Sequence, residues 1–116
     1  MARVMIAEDT DVIRLLLEDI LSIVKHELVY QAKDGAEAVE KYASIKPDIL
    51  LMDLSMPKKD GITALKEIKK TYPDAKIIML SAIGSFMASE CLEAGAIAFF
   101  PKPFDFDKVL KILKEV

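Results

Sequence analysis

Pro47-Asp48-Ile49-Leu50-Leu51-Met52-Asp53-Leu54-Ser55-Met56-Pro57 reads as a short buried strand running out into a turn. Ile49, Leu50, Leu51 and Met52 form an unbroken apolar run, the pattern of a strand covered on both faces by helices. Asp53 stands where that strand leaves the core. It is either a turn acid, since Asp, Ser and Pro are ordinary turn residues, or a functional carboxylate held at a sheet edge. The sequence on either side decides between them.

Upstream, Arg3 to Ala7 is an apolar strand that ends abruptly in Glu8-Asp9. Thr10 or Asp11 then caps a helix whose residues Ile13, Leu16, Leu17, Ile20, Leu21 and Val24 follow the three-four spacing of one buried face. Glu27 to Ala32 is a second strand, and Asp34-Gly35 opens a helix through about Ile45 with Val39, Tyr42 and Ala43 inward. Pro47 stops it. Downstream, Met56-Pro57-Lys58-Lys59-Asp60-Gly61 is a loop into a helix carrying Ile62, Leu65, Ile68 and Tyr72 on one side, ended by Pro73-Asp74. Lys76 to Leu80 is a fourth strand closing on Ser81-Ala82. Gly84 permits the turn into a helix running to about Ala94, and Gly95 fits the left-handed residue that ends it. Ile97 to Phe100 is a fifth strand. After Pro101-Lys102-Pro103-Phe104 a last helix, capped by Asp105, presents Phe106, Val109, Leu110 and Leu113.

Strands alternating with helices in this way define an α/β, doubly wound parallel sheet, because each crossover must return the chain in the same direction. No linker, repeat or low-complexity segment interrupts the pattern. Residues 1–116 are therefore expected to form a single domain, with no output domain in the chain.

Composition excludes several functions. A chain that is 53% hydrophobic and 30% charged is neither disordered nor membranous. A net charge of -3 argues against nucleic acid as a direct ligand, which needs a clustered excess of Lys and Arg. No apolar segment approaches the ~20 residues of a membrane span, and Met-Ala-Arg-Val is no signal peptide, so a cytoplasmic setting is expected. Cys91, the single cysteine, excludes an internal disulfide and a cysteine-rich zinc site; its context reads as a small apolar helix residue. His26 follows Lys25 at a loop and is expected to be exposed without catalytic duty, and the methionines read as core filler.

In an open parallel sheet, ligands bind outside the carboxyl ends of the strands, where the strand order reverses. Those ends carry Glu8 and Asp9, Asp53, Ser81 and Lys102. Carboxylates gathered there repel, by roughly 4 kcal/mol for two charges 4 Å apart at an effective dielectric near 20, so the cluster needs a cation. Oxygen ligands without Cys or His suit Mg²⁺ better than Zn²⁺. With the Ser81 hydroxyl and the Lys102 ammonium added, the set forms a cradle for a phosphoryl group. Blander roles exist: Glu8 and Asp9 would favour a helix N-terminus through its dipole, and Lys102 would be solvated beside a turn.

The joint occurrence of Val4-Met5-Ile6-Ala7-Glu8-Asp9, Asp53-Leu54-Ser55-Met56-Pro57, Asp60-Gly61, Ser81-Ala82 and Lys102-Pro103-Phe104, in order, resembles the receiver domains of two-component response regulators. The resemblance covers the whole chain and implies the five-stranded, flavodoxin-like strand order 2-1-3-4-5. It implies that Asp53 accepts phosphate from a phosphohistidine, on a sensor histidine kinase or a histidine phosphotransfer protein. Asp9 matches the direct Mg²⁺ ligand, Glu8 an acid acting on the metal through water, and the Ser55 backbone carbonyl a further ligand. Ser81 and Lys102 match the groups that bind phosphoryl oxygens. Phe99 falls on the switch aromatic, moving with Ser81, and Lys102-Pro103 is expected to be cis. Glu8 replaces a commoner aspartate and Ser81 a commoner threonine, each keeping its functional group. Phe99 lacks the hydroxyl of the commoner tyrosine. Ser55 and Ile83 fall where phosphate lifetime is tuned in the family.

The resemblance is to chemotaxis regulators of the CheY type, which signal by binding a motor or adaptor protein. A single-domain phosphorelay intermediate shares the same features. A phosphatase of the haloacid dehalogenase type also uses a strand-end aspartate and Mg²⁺, but generally has a second aspartate where this chain has Ser55. A receiver that binds partners without phosphorylation would not need the full acid set. The chain is expected to modify itself rather than act as an enzyme in the turnover sense.

Overall fold

The computed structural model describes residues 1–82 and 85–116; the expectations for Ile83 and Gly84 lie outside them. The elements alternate in chain order: β1 (Arg3–Ala7), α1 (Asp11–Val24), β2 (Glu27–Ala32), α2 (Gly35–Ile45), β3 (Ile49–Asp53), α3 (Gly61–Thr71), β4 (Ile77–Ser81), α4 (Ala88–Glu93), β5 (Ala98–Pro101) and α5 (Phe106–Glu115). The sheet is parallel throughout, in the order β2-β1-β3-β4-β5.

Successive residues of the central strands serve opposite faces, as the two-residue period of a strand requires. Val4, Ile6, Ile49, Leu51, Ile78 and Leu80 pack with Leu17, Ile20 and Leu21 of α1 and Val109 and Leu113 of α5. Met5, Ala7, Leu50, Met52, Ile77 and Met79 pack with Ala38 and Tyr42 of α2, Leu65 and Ile68 of α3, and Cys91 of α4. Every residue of β3 is buried, which is why its sequence is a solid apolar run rather than an alternation.

Helix ends follow local chemistry. Asp34, Asp60 and Asp105 each accept a hydrogen bond from the backbone three residues on, at 2.8, 2.8 and 3.2 Å, contributing about 1 kcal/mol apiece. Thr10 occupies the cap position of α1 without a side-chain bond. Gly95 takes φ +108°, the left-handed conformation expected of it.

Five local expectations are corrected. Ala43 is exposed and Ala38 holds the inward position instead, one turn nearer the start of α2. Phe106, the first residue of α5, is 39% exposed, because the inward stripe of this helix runs through Val109 and Leu113. The strand expected from Lys76 begins at Ile77, and α4 spans only Ala88–Glu93. His26 is not a free loop residue: it is half-buried, accepts from Ala2 N–H at 3.2 Å through Nδ1, and lies 2.7 Å from the Leu113 carbonyl through Nε2.

Candidate functional site

The sheet order reverses between β1 and β3, which both neighbour each other and diverge to opposite edges. The carboxyl ends of these two strands carry the acids. Glu8, immediately after β1, is fully buried, and its N–H donates to the Ala32 carbonyl at 3.1 Å, which fixes it against the end of β2. Asp9 is exposed and Asp53, the last residue of β3, is buried. One carboxylate oxygen from each of the three lies within 4.8 Å of the others.

Lys102 reaches this cluster from the far side of the sheet. Ser81 ends β4 beside Pro101 of β5, and the Lys102 N–H donates to the Ser81 carbonyl at 2.6 Å. That anchor aims the lysine back across the strand ends. Its ammonium donates to Glu8 Oε1 at 2.6 Å and to Asp53 Oδ1 at 3.2 Å. Such charge-assisted bonds are the strong class of hydrogen bond, and here they are shielded from water. Ser81 is buried beside them.

One ammonium does not neutralise this much charge. Burial pushes the Glu8 carboxyl up to about 7, against the opposing bond from Lys102 and with further upward pressure from the Asp53 charge. Glu8 Oε2 is buried with no hydrogen-bond partner among the described residues, which is costly for a carboxylate oxygen. An orphaned buried oxygen among clustered carboxylates, one of them exposed, fits a hard divalent cation with water in part of its shell. The residues present therefore fit Mg²⁺.

The remaining expected residues are placed less tightly. Ser55 is exposed in the loop after β3, two residues beyond Asp53. Phe99 pairs in register with Met79 and is half-buried against the face covered by α2, α3 and α4. The Lys102–Pro103 peptide bond is cis.

Two features were not found by reading the sequence. Arg14 of α1 donates to the Glu8 carbonyl at 3.3 Å and pairs with Asp11, bracing the turn that carries the acids. Gly61 sits against the backbone of Asp53: a Cβ there would lie 2.2 Å from the Asp53 carbonyl oxygen and 2.8 Å from Leu54 Cα. An arginine one turn into a helix, directly after an acidic strand end, is the signal that would have revealed the first. The second depends on a non-local backbone approach.

The fold, the reversal point and the acid–lysine cluster together define a doubly wound domain with acids that could hold a metal ion at the carboxyl end of its sheet. The family model for the response regulator receiver domain matches residues 4–114. The chemotaxis protein CheY of Thermotoga maritima is 45% identical over 115 residues, covering 98% of this chain and 96% of that protein. CheY of Bacillus subtilis is 45% identical over 114 residues, covering 97% and 95%. The solved CheX-CheY-BeF3-Mg+2 complex from Borrelia burgdorferi matches with a TM-score of 0.91 at 36% identity, over 97% of this chain and 87% of that one. The chain belongs to the response regulator receiver domain family.

Proposed function

We propose that this chain is a phosphorylation switch of a two-component system, with Asp53 as the acceptor, of the chemotaxis type. An Asp53 carboxylate oxygen attacks the phosphorus of a phosphohistidine on a sensor kinase or phosphotransfer protein. The O–P bond forms, the P–N bond breaks, and the electron pair leaves on the imidazole. Glu8, Asp9, Asp53 and the Ser55 backbone carbonyl would hold Mg²⁺, which when bound would supply positive charge to offset the acids and the phosphoryl oxygens. Lys102 moves its donor bonds from the carboxylates to a phosphoryl oxygen, and the Ser81 hydroxyl donates to another. Ser81 is drawn inward with its loop and Phe99 follows, which alters the surface of α4, β5 and α5 for a motor or adaptor partner. Water later cleaves the acyl phosphate, so the chain resets itself and turns over no separate substrate.

The observation that carries this reading is the Lys102 ammonium bridging Glu8 and Asp53 at the point where the strand order reverses. The 45% identity to two CheY proteins over nearly the full length supports chemotaxis rather than relay duty. The solved relative that holds BeF3 and Mg in complex with CheX supports a protein partner and a metal-dependent site. Among the described residues no helix is long and apolar enough to cross a membrane, which is consistent with a cytoplasmic kinase partner. Incubation with acetyl phosphate and Mg²⁺, followed by intact-mass measurement, should add one phosphoryl mass that is lost in Asp53→Asn. Phosphorylation that survives this substitution, or none in the native chain, sinks the proposal.

A further inference from the structure

Asp9 is the exposed member of the acid cluster, and its carboxylate takes part in no hydrogen bond or ion pair among the described residues. No neighbouring side chain holds it, so the backbone joining β1 to α1 decides where it points. That link is Glu8-Asp9-Thr10, and Thr10 gives it no side-chain cap bond.

The fastening comes from one residue a turn into the helix. The Arg14 N–H donates to the Thr10 carbonyl at 3.0 Å, and Arg14 Nη1 donates to the Glu8 carbonyl at 3.3 Å. Arg14 therefore grips the link on both sides of Asp9. The Glu8 N–H is held separately by the Ala32 carbonyl at 3.1 Å, so the peptide groups before and after Glu8 are both bonded. The other guanidinium branch of Arg14 pairs with Asp11, and the arginine side chain is only 19% exposed, which keeps it in place although Asp11 lies open to water. A guanidinium suits the task, because its rigid planar fork donates to a carbonyl and a carboxylate together.

The charge of Arg14 runs against the site it serves. A positive group beside a cation site repels the cation, so an arginine placed here for charge alone would weaken binding. Its use lies in its bonds. We propose that Arg14 is a positioning residue for the cation site, closing the Glu8-Asp9-Thr10 link so that the unheld carboxylate of Asp9 faces Glu8 and Asp53. That role rests on the proposed Mg²⁺ site and adds to it a residue outside the ligand set.

Amide NMR of the full chain tests this with magnesium chloride as the probe. Two quantities come from each sample: the order of the Asp9 and Thr10 amides without metal, from the heteronuclear NOE, and the Mg²⁺ Kd, from saturable shifts at the strand ends. Arg14→Met keeps the aliphatic stem and removes the charge and both side-chain bonds. It should lower the order at Asp9 and weaken Mg²⁺ binding about tenfold, the usual effect of losing a group that orients a metal ligand. Arg14→Lys keeps the charge without the fork and should weaken binding by less, and it carries the same test if Arg14→Met does not fold. Repulsion alone predicts the opposite, tighter binding in Arg14→Met and no change in Arg14→Lys. Tighter or unchanged binding in either variant, or undiminished order at Asp9, overturns the role of Arg14 and leaves the metal site standing. No saturable shift in the native chain overturns the Mg²⁺ site and this role with it.

Discussion

Glu8 is the residue whose environment contradicts its chemistry most. Its carboxyl is pushed up to about 7 from an ordinary 4.5, mainly by burial. Between those values the native chain holds a proton that the unfolded chain has released. Glu8 therefore contributes full stability below the lower value, and stability falls as pH rises through the upper one, by on the order of 3 kcal/mol at most. A divalent cation competes with that proton and should reverse the trend, binding more tightly as pH rises. Urea unfolding from pH 5 to 8 in EDTA should show the decline, added Mg²⁺ should remove it, and Glu8→Gln should flatten it. An identical slope in Glu8→Gln would assign the effect elsewhere. Lys102 is the complementary case: Lys102→Ala strips two charge-assisted bonds from buried acids. It should slow phosphorylation by acetyl phosphate about a hundredfold or more, in line with losing one preorganised charge contact to a transferring group. The acids and the lysine were legible in the sequence because strand ends in a parallel sheet converge on one edge. The pairing of Lys102 with both Glu8 and Asp53 was not, since it depends on side-chain reach across three strands.

At the scale of elements, the strands were the most legible part. A run such as Ile49 to Met52 admits few placements other than a strand buried on both faces, and it lies there. The misplaced residues are helical ones, Ala43 and Phe106, where a short helix and a small or terminal residue leave the inward direction poorly defined by spacing alone. The joint between α3 and β3 was invisible, because Gly61 reads locally as the second half of a turn. In space it lets the first turn of α3 press on the backbone of Asp53 and Leu54. Gly35 does the same for α2, where a Cβ would lie 2.0 Å from the Lys59 carbonyl oxygen. Neither obstacle is a flexible side-chain end, so backbone must shift. Gly61→Ala should cost about 2–3 kcal/mol of stability and slow phosphorylation, because the Asp53 carbonyl and the loop to Ser55 move together. Thr63→Ala, at an exposed position of the same helix, should change stability by no more than about 0.5 kcal/mol and leave the rate unaltered. Equal losses in the two variants would mean that Gly61 acts only through helix stability.

Across the whole molecule the two ends of the sheet are built for different tasks. The carboxyl end gathers buried charge around Asp53, and under the proposed function that arrangement changes when a phosphoryl group arrives. The amino end is tied down, and His26 is one of its fasteners. Accepting from Ala2 N–H at Nδ1 leaves Nε2 to donate to the Leu113 carbonyl, so one ring joins the residue before β1, the turn after α1 and the last turn of α5. Residues 26 and 113 are far apart in the chain, which is why the sequence showed only a histidine beside a loop lysine. His26→Ala removes both bonds and should destabilise the domain by about 1–3 kcal/mol in urea unfolding, the usual cost of leaving partly buried backbone groups unpaired. The extent and rate of phosphorylation by acetyl phosphate should stay at the native level under conditions where the variant is folded, because nothing around His26 touches Glu8, Asp53 or Lys102. A fall in phosphorylation rate that outlasts correction for the unfolded fraction would show instead that the two ends are coupled through β1, which starts one residue after Ala2, bonded to His26, and leads directly into Glu8.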